Sequence, residues 1–168
     1  MKKYIFLDVD GVINLKTQYN APAKDHFEDF VYRFDRRSLS FLHDIWQWTN
    51  AEIVLSAACR KIPQYREAIF AFMKENYGIK MHRWTGSASD GFRGEEVLKF
   101  LKEEKELYGL EGIRYAIIDD ESDFYLEQRP FLFQTDPEYG ITENIAYRVR
   151  YALNNGFEDT RRLGSDRI

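Results

Sequence analysis

The chain has 168 residues, 44% hydrophobic and 31% charged, a balance that suits one packed domain and excludes wholesale disorder. A formal net charge of -4 excludes a protein built to coat nucleic acid nonspecifically, and no stretch reaches the length of a membrane span. The single cysteine, Cys59, excludes an internal disulfide and fits a reducing, cytoplasmic setting, while the apolar run after Met1 stops at Asp8, far short of a secretion signal.

Tyr4 to Leu7 is a short apolar run without helical spacing, the pattern of a strand buried in a parallel sheet. It runs into Asp8, Asp10 and Gly11. Leu15 to Asp35 is mixed and polar, with Phe27, Phe30, Tyr32 and Phe34 set among charges. This reads as a packed flap or small hairpin whose rings make a small core, and base stacking by the rings is the alternative. Arg36 to Asn50 places Leu39, Leu42, Ile45, Trp46 and Thr49 at helical spacing. Ala51 to Ser56 is a second strand. Pro63 opens a helix with Tyr65, Ile69, Phe72 and Met73 inward, and Gly78 closes it.

Ile79 to Trp84 reads as a weaker third strand, followed by a turn-rich loop from Thr85 to Gly91. Gly94 to Tyr108 is helical, with Val97, Leu98, Leu101 and Leu107 inward and the charges outward. Ile113 to Ile118 is a fourth strand that enters Asp119, Asp120 and Asp123, and Phe131 to Gln134 is a fifth. Thr142 caps a last helix that ends at Gly156, and the tail from Glu158 is polar and loose. Alternation of this kind implies an α/β fold, a five-stranded parallel sheet with helices on both faces, in a single domain whose core spans about residues 3–155.

Parallel strands bring their carboxyl ends to one edge, where ligands of open α/β sheets bind. Asp8 and Asp10 end the first strand, Ser56 the second, and Asp119, Asp120 and Asp123 the fourth. Converging carboxylates repel unless a cation joins them, and an all-oxygen set suits Mg²⁺. Arg60, Lys61 and Arg93 follow the same edge. A metal with fixed cations is what phosphoryl transfer requires, because its developing charge lies on phosphate oxygens. Cys59 reads as a small buried hydrophobe, and His26, His43 and His82 lack the spacing of a zinc site.

These residues resemble the haloacid dehalogenase (HAD) superfamily: Asp8 to Val12 its first motif, Ser56 its second, Asp119 and Asp120 its fourth. The finer likeness is to the HAD domain of RNA-repair proteins, similar around Gly11 to Asn14, Arg93 to Glu96 and Gln134 to Asp136. The resemblance implies a three-layer Rossmann-like fold and a Mg²⁺-dependent phosphatase working through an aspartyl-phosphate. Asp8 would be the nucleophile and Asp10 the general acid and base, its main-chain carbonyl also on the metal. Ser56 and Arg60 would bind phosphate. The cation of the third motif is best matched by Arg93, with Arg83 and Lys99 as weaker candidates. Asp119 and Asp120 would serve the metal, and Asp123 would share that role.

Neither the segment before the first long helix nor the loop after Trp84 is long enough for a folded cap. An open site implies a large phosphorylated substrate, such as a DNA or RNA end or a phosphoprotein, with a monomer as the default state. Free nucleotides or small metabolites, or a HAD-like module that binds without turnover, are the alternatives.

Overall fold

Side chains alternate along a strand, so an apolar strand buried on both sides demands a layer on each face. In a computed structural model, which describes residues 1–19, 30–108 and 112–156, that demand is met. Strands β1 (Lys2–Leu7), β2 (Glu52–Leu55), β3 (Arg83–Trp84), β4 (Ile113–Asp119) and β5 (Leu132–Gln134) form one sheet in the order β3-β2-β1-β4-β5. Every pairing is parallel. The helices are α1 (Lys16–Tyr19), α2 (Arg36–Thr49), α3 (Pro63–Tyr77), α4 (Arg93–Tyr108) and α5 (Glu143–Asn155). Ile5, Leu7, Ile53, Leu55 and Ile118 face one core with Leu39 and Leu42 of α2, Ile69 and Met73 of α3, and Val149 of α5. Tyr4, Phe6, Val54 and Ile117 face the other, against Val97 and Phe100 of α4. The expected three-layer α/β architecture is present. No helix among the described residues is long and apolar enough to cross a membrane.

Local chemistry sets the element ends. Asp35 accepts the Ser38 N–H at 2.7 Å and starts α2, and Thr142 accepts the Ile145 N–H at 3.3 Å and starts α5. Gly78, at φ 70°, closes α3 by donating to Lys74, while the Ile79 N–H reaches back to the Met73 carbonyl at 3.2 Å. The Ile79 amide therefore serves the helix cap, and the third strand expected from Ile79 to Trp84 shrinks to Arg83 and Trp84. The fifth strand begins one residue later than expected, because Phe131 closes a 3₁₀ turn from Arg129 to Phe131.

Helix α4 departs further from its expected pattern. Leu107 is 72% exposed, while Glu96 and Glu104 are buried beside Val97 and Phe100. Partners under the helix decide this: Arg60 meets Glu96 at 2.6 Å, and Glu104 binds Arg83 at 2.5 Å and the Tyr4 hydroxyl. Of the expected flap, positions 20–29 lie outside the described residues, Phe27 and His26 with them. Instead of a separate small core, Phe34 is buried in the main core on the α2–α3 side and Phe30 packs against it, their rings 5.1 Å apart, with Tyr65 5.0 Å from Phe30. Tyr32 stays 75% exposed. The polar tail from Glu158 also lies outside the described residues.

Register carries the sequence to the site. Leu7 pairs with Leu55 and Ile118, and Leu55 pairs with Trp84. The next residues, Thr85, Ser56, Asp8 and Asp119, therefore stand in a row along the carboxyl edge. They continue the phase of Phe6, Val54 and Ile117, so they sit on the α4 side of the sheet. Gly140 fixes the segment behind this row. Its φ is 61°, and an added Cβ would strike the Val12 carbonyl oxygen and come within 2.6 Å of Ser38 Oγ. Gly140→Ala is expected to destabilise the fold by about 2–3 kcal/mol, more than a positive φ alone imposes. A shift of the urea midpoint at constant m measures it.

Candidate active site

The turn after β1 is built by backbone bonds that fold it back on itself. Amides of Ile13 and Asn14 both donate to the Val9 carbonyl, and Gly11 donates to Asn14 at 2.8 Å. Gly11 takes φ 73°, and a Cβ there would occupy the space of the Asp120 carboxylate. Glycine is thus required twice, by conformation and by close approach. Thr135 Oγ1 donates to the Gly11 carbonyl at 2.8 Å and its amide to Asp119, tying β5 to this turn. Gln134 Nε2 similarly holds the Asp120 carbonyl at 2.8 Å. Roles for Thr135 in bracing the turn and for Gln134 in holding Asp120 were not legible from strand spacing, which shows only that one ends a strand and the other follows it.

Asp8, Asp119 and Asp120 converge, with one carboxylate oxygen of each within 4.8 Å of the others. Asp8 and Asp119 are buried, and Asp120 is half-buried. One guanidinium answers them. Arg93 Nη1 lies 3.2 Å from Asp8 Oδ1, pairs directly with Asp119 Oδ2, and its Nε is 3.8 Å from Asp123 Oδ1. The Glu121 N–H donates to the other Asp119 oxygen at 2.9 Å. Burial pushes Asp8 well above the carboxylate range, Asp119 adds repulsion, and Arg93 opposes both. Burial likewise pushes Asp119 up to about 6 against the pull of Arg93, and raises Asp120. Burial alone would favour neutral Arg93, but Asp8 and Asp119 outweigh it and hold the proton.

Among the described residues, three carboxylates against one cation leave an excess of negative charge in a buried place. That donor set, all oxygen and starved of positive charge, fits a hard divalent ion.

The other expected residues divide by position. Ser56 lies beside Asp8 in the row, and its buried hydroxyl finds no partner among the described residues. A hydroxyl so placed calls for a ligand oxygen or water. Asp10 is exposed at the mouth, and its Oδ1 accepts from Asn14 Nδ2 at 2.6 Å. Its carboxylate and that of Asp123 are not part of the three-carboxylate cluster; Asp123 faces Arg93 instead. Of the candidate cations, Arg93 meets Asp8, whereas Arg83 is engaged by Glu104 and Glu52 and stacks 4.2 Å from the Phe100 ring centre. Lys99 is exposed on the outer side of α4.

Arg60, expected on phosphate, is 2% exposed and points into the protein. Its donors go to the carbonyls of Ser56, Ala57, Thr85 and Gly86 and to Glu96. With five N–H groups so engaged, it holds loops together and leaves none for a substrate. Burial, with Asp10 and Asp8 nearby, pushes the Cys59 thiol up to about 12, so it stays protonated and inert. His43 lies half-buried against Trp46 and Tyr77, and His82 is exposed beside Glu52.

Two outcomes are expected. Glu96→Ala strands the buried Arg60 guanidinium and should lower stability by about 3–5 kcal/mol in urea titration. Without a divalent cation, Asp119 and Asp8 hold protons in the folded chain that an unfolded Asp, with a pKa of about 3.9, has already released. Stability should therefore fall as pH rises from about 4 through about 6, since the native state binds more protons there. Millimolar Mg²⁺ should raise the melting temperature at pH 7 and do little at pH 4.5. Asp119→Asn should flatten both responses. A melting temperature indifferent to Mg²⁺ at pH 7 would argue against a metal centre.

The family model described as the HAD domain in Swiss Army Knife RNA repair proteins matches residues 4–146, from β1 into α5. No curated protein and no solved structure matches the chain significantly. The matched span takes in the acidic turn after β1, Ser56, Arg93 and the Asp119–Asp120 pair, and on that evidence the chain belongs to this family of HAD domains from RNA-repair proteins.

Proposed function

We propose that the protein is a Mg²⁺-dependent phosphomonoesterase that removes a phosphate from a nucleic-acid end. The observation that carries the reading is the buried Asp8 carboxylate, 3.2 Å from Arg93, beside Asp119 and next in the row to the unpartnered Ser56 hydroxyl. A carboxylate held out of water between a fixed cation and a hydroxyl donor is placed to attack a phosphorus whose oxygens those groups hold.

In the first step Asp8 forms a bond to phosphorus while the bond to the leaving oxygen breaks. Asp10, at the mouth and steadied by Asn14, delivers its proton to that oxygen. In the second step Asp10, now a carboxylate, takes a proton from water as the water attacks the phosphorus of the Asp8 acyl phosphate, whose P–O bond to Asp8 breaks, releasing inorganic phosphate and restoring Asp8. Arg93 and Ser56 bind the transferred oxygens throughout. Asp8, Asp119 and Asp120, with the Asp10 carbonyl, would hold Mg²⁺, which would supply positive charge to offset an anionic nucleophile meeting an anionic phosphate. Asp123 orients Arg93 from outside or shares water with the ion. Among the described residues no folded unit covers the carboxyl edge, which supports a substrate larger than the site, and the family's RNA-repair association supports a nucleic-acid end.

Asp8→Asn should lower Mg²⁺-dependent hydrolysis of an aryl phosphate by at least about a thousandfold while the fold persists. A phosphorylated oligonucleotide end should be turned over in preference to free nucleotides and sugar phosphates. Equal rates from wild type and Asp8→Asn would remove the phosphatase reading, and a preference for sugar phosphates would remove the nucleic-acid one.

A further inference from the structure

The two flanks of the carboxyl edge carry opposite charge. On the β4–β5 side, beyond Asp119, Asp120 and Asp123, which the metal site and Arg93 engage, residues 119–127 leave Glu121 and Glu127 and hold no basic residue. Arg129 follows, but Asp136 and Glu138 add further negative charge on the same side. On the β2–β3 side, residues 56–66 hold Arg60, Lys61 and Arg66 and no acid, Glu67 being the next charge. Arg60 is absorbed by its buried partners, which leaves Lys61, exposed, and Arg66, half-buried. A polyanionic strand with its end phosphate at Asp8 would be repelled by the first flank and drawn to the second.

The second flank also carries an aromatic surface. Trp84 ends β3 at the sheet edge and remains 42% exposed. The Arg66 guanidinium lies 3.9 Å from the centre of its ring, and Arg66 Nη1 donates to the Arg60 carbonyl at 3.1 Å. A single bond thus anchors this stack to the loop that carries Ser56. Trp84 stands two strands from β1, about 10 Å across the sheet; in phase with Leu55 and packed against Phe70 of α3, its ring lies on the α3 face, so a strand held at Asp8 reaches it by crossing the loop that carries Lys61. Bases splayed from a single strand stack on aromatic rings and on arginine planes, and do so without sequence preference.

Resting on the reading above, we infer that the RNA strand whose end is dephosphorylated leaves the site across Lys61, Arg66 and Trp84. One base extends the Arg66–Trp84 stack, and Lys61 with Arg66 neutralises the adjoining backbone phosphate. The acidic flank blocks exit the other way, so the strand has one polarity over the sheet edge.

Steady-state kinetics on the full chain with Mg²⁺ test this, using a phosphorylated RNA hexamer beside p-nitrophenyl phosphate. Trp84→Ala should raise KM for the hexamer about tenfold, and Trp84→Phe should recover most of the loss. Lys61→Gln should lower the slope of log KM against log salt by about 0.7, the share of one single-strand phosphate contact. None of these variants should change kcat/KM for p-nitrophenyl phosphate by more than about twofold, which also reports that they fold. If wild type prefers the hexamer over a mononucleotide, yet Trp84→Ala and Lys61→Gln match it on the hexamer, the exit path is wrong and the phosphatase reading stands. If wild type hydrolyses p-nitrophenyl phosphate but shows no preference for the hexamer, the nucleic-acid reading itself falls, and the path with it.

Discussion

Two carboxylates, Asp8 and Asp119, are buried side by side with one arginine between them, and this unfavourable arrangement governs how the rest of the chain is built. Left to themselves such groups would separate, take up protons or draw in water. They are held because β1 and β4 pair over six residues and are sealed by apolar side chains on both faces. The energy stored at the edge is small beside the burial of Tyr4, Ile5, Phe6, Leu7, Ile117 and Ile118. Placement at the ends of the two longest strands is therefore a physical necessity: only the best-supported part of the sheet can hold charge that does not want to be there.

A second layer of charge fixes the first. Arg60 leaves the loop after β2, passes beneath the Thr85–Gly86 backbone and ends on Glu96 in α4. Glu96 lies one turn from Arg93 along the same helix, and its carboxylate also receives the Ala88 N–H at 3.3 Å. Three separate pieces of chain, carrying Ser56, the loop after β3, and Arg93, are bound to one ion pair. An error of one ångström at Arg93 would alter its reach to Asp8, and this clamp is what denies it that freedom.

How much of this was legible depended on whether the signal lay in local pattern or in distant partners. The strands at Tyr4 to Leu7 and Ile113 to Ile118, and the helix starts at Arg36, Pro63 and Thr142, were written in apolar runs, helical spacing, a first-turn proline and one cap; the Asp35 cap was not read. Convergence of Asp8, Ser56 and Asp119 followed from parallel strand ends alone. Arg60 misled, because an arginine after a serine at a strand end has the same local appearance whether it faces a phosphate or a buried glutamate. Its true partner stands at Glu96, on an element where acidic residues read as a solvated face. Glu104 hid in the same way behind Arg83 and Tyr4. The short third strand was lost because a helix cap claimed the Ile79 amide, a competition that apolar patterning does not register.

That claimed amide has an effect at the molecule's margin. With β3 cut to two residues and β5 to three, the outermost rows of the sheet offer little open backbone. A neighbouring chain seeking to add a strand finds almost no ladder to continue, and Arg66 lying over Trp84 crowds what remains of one side. Among the described residues, a sheet with long central strands and stunted borders thus leaves little to continue by strand addition at either margin.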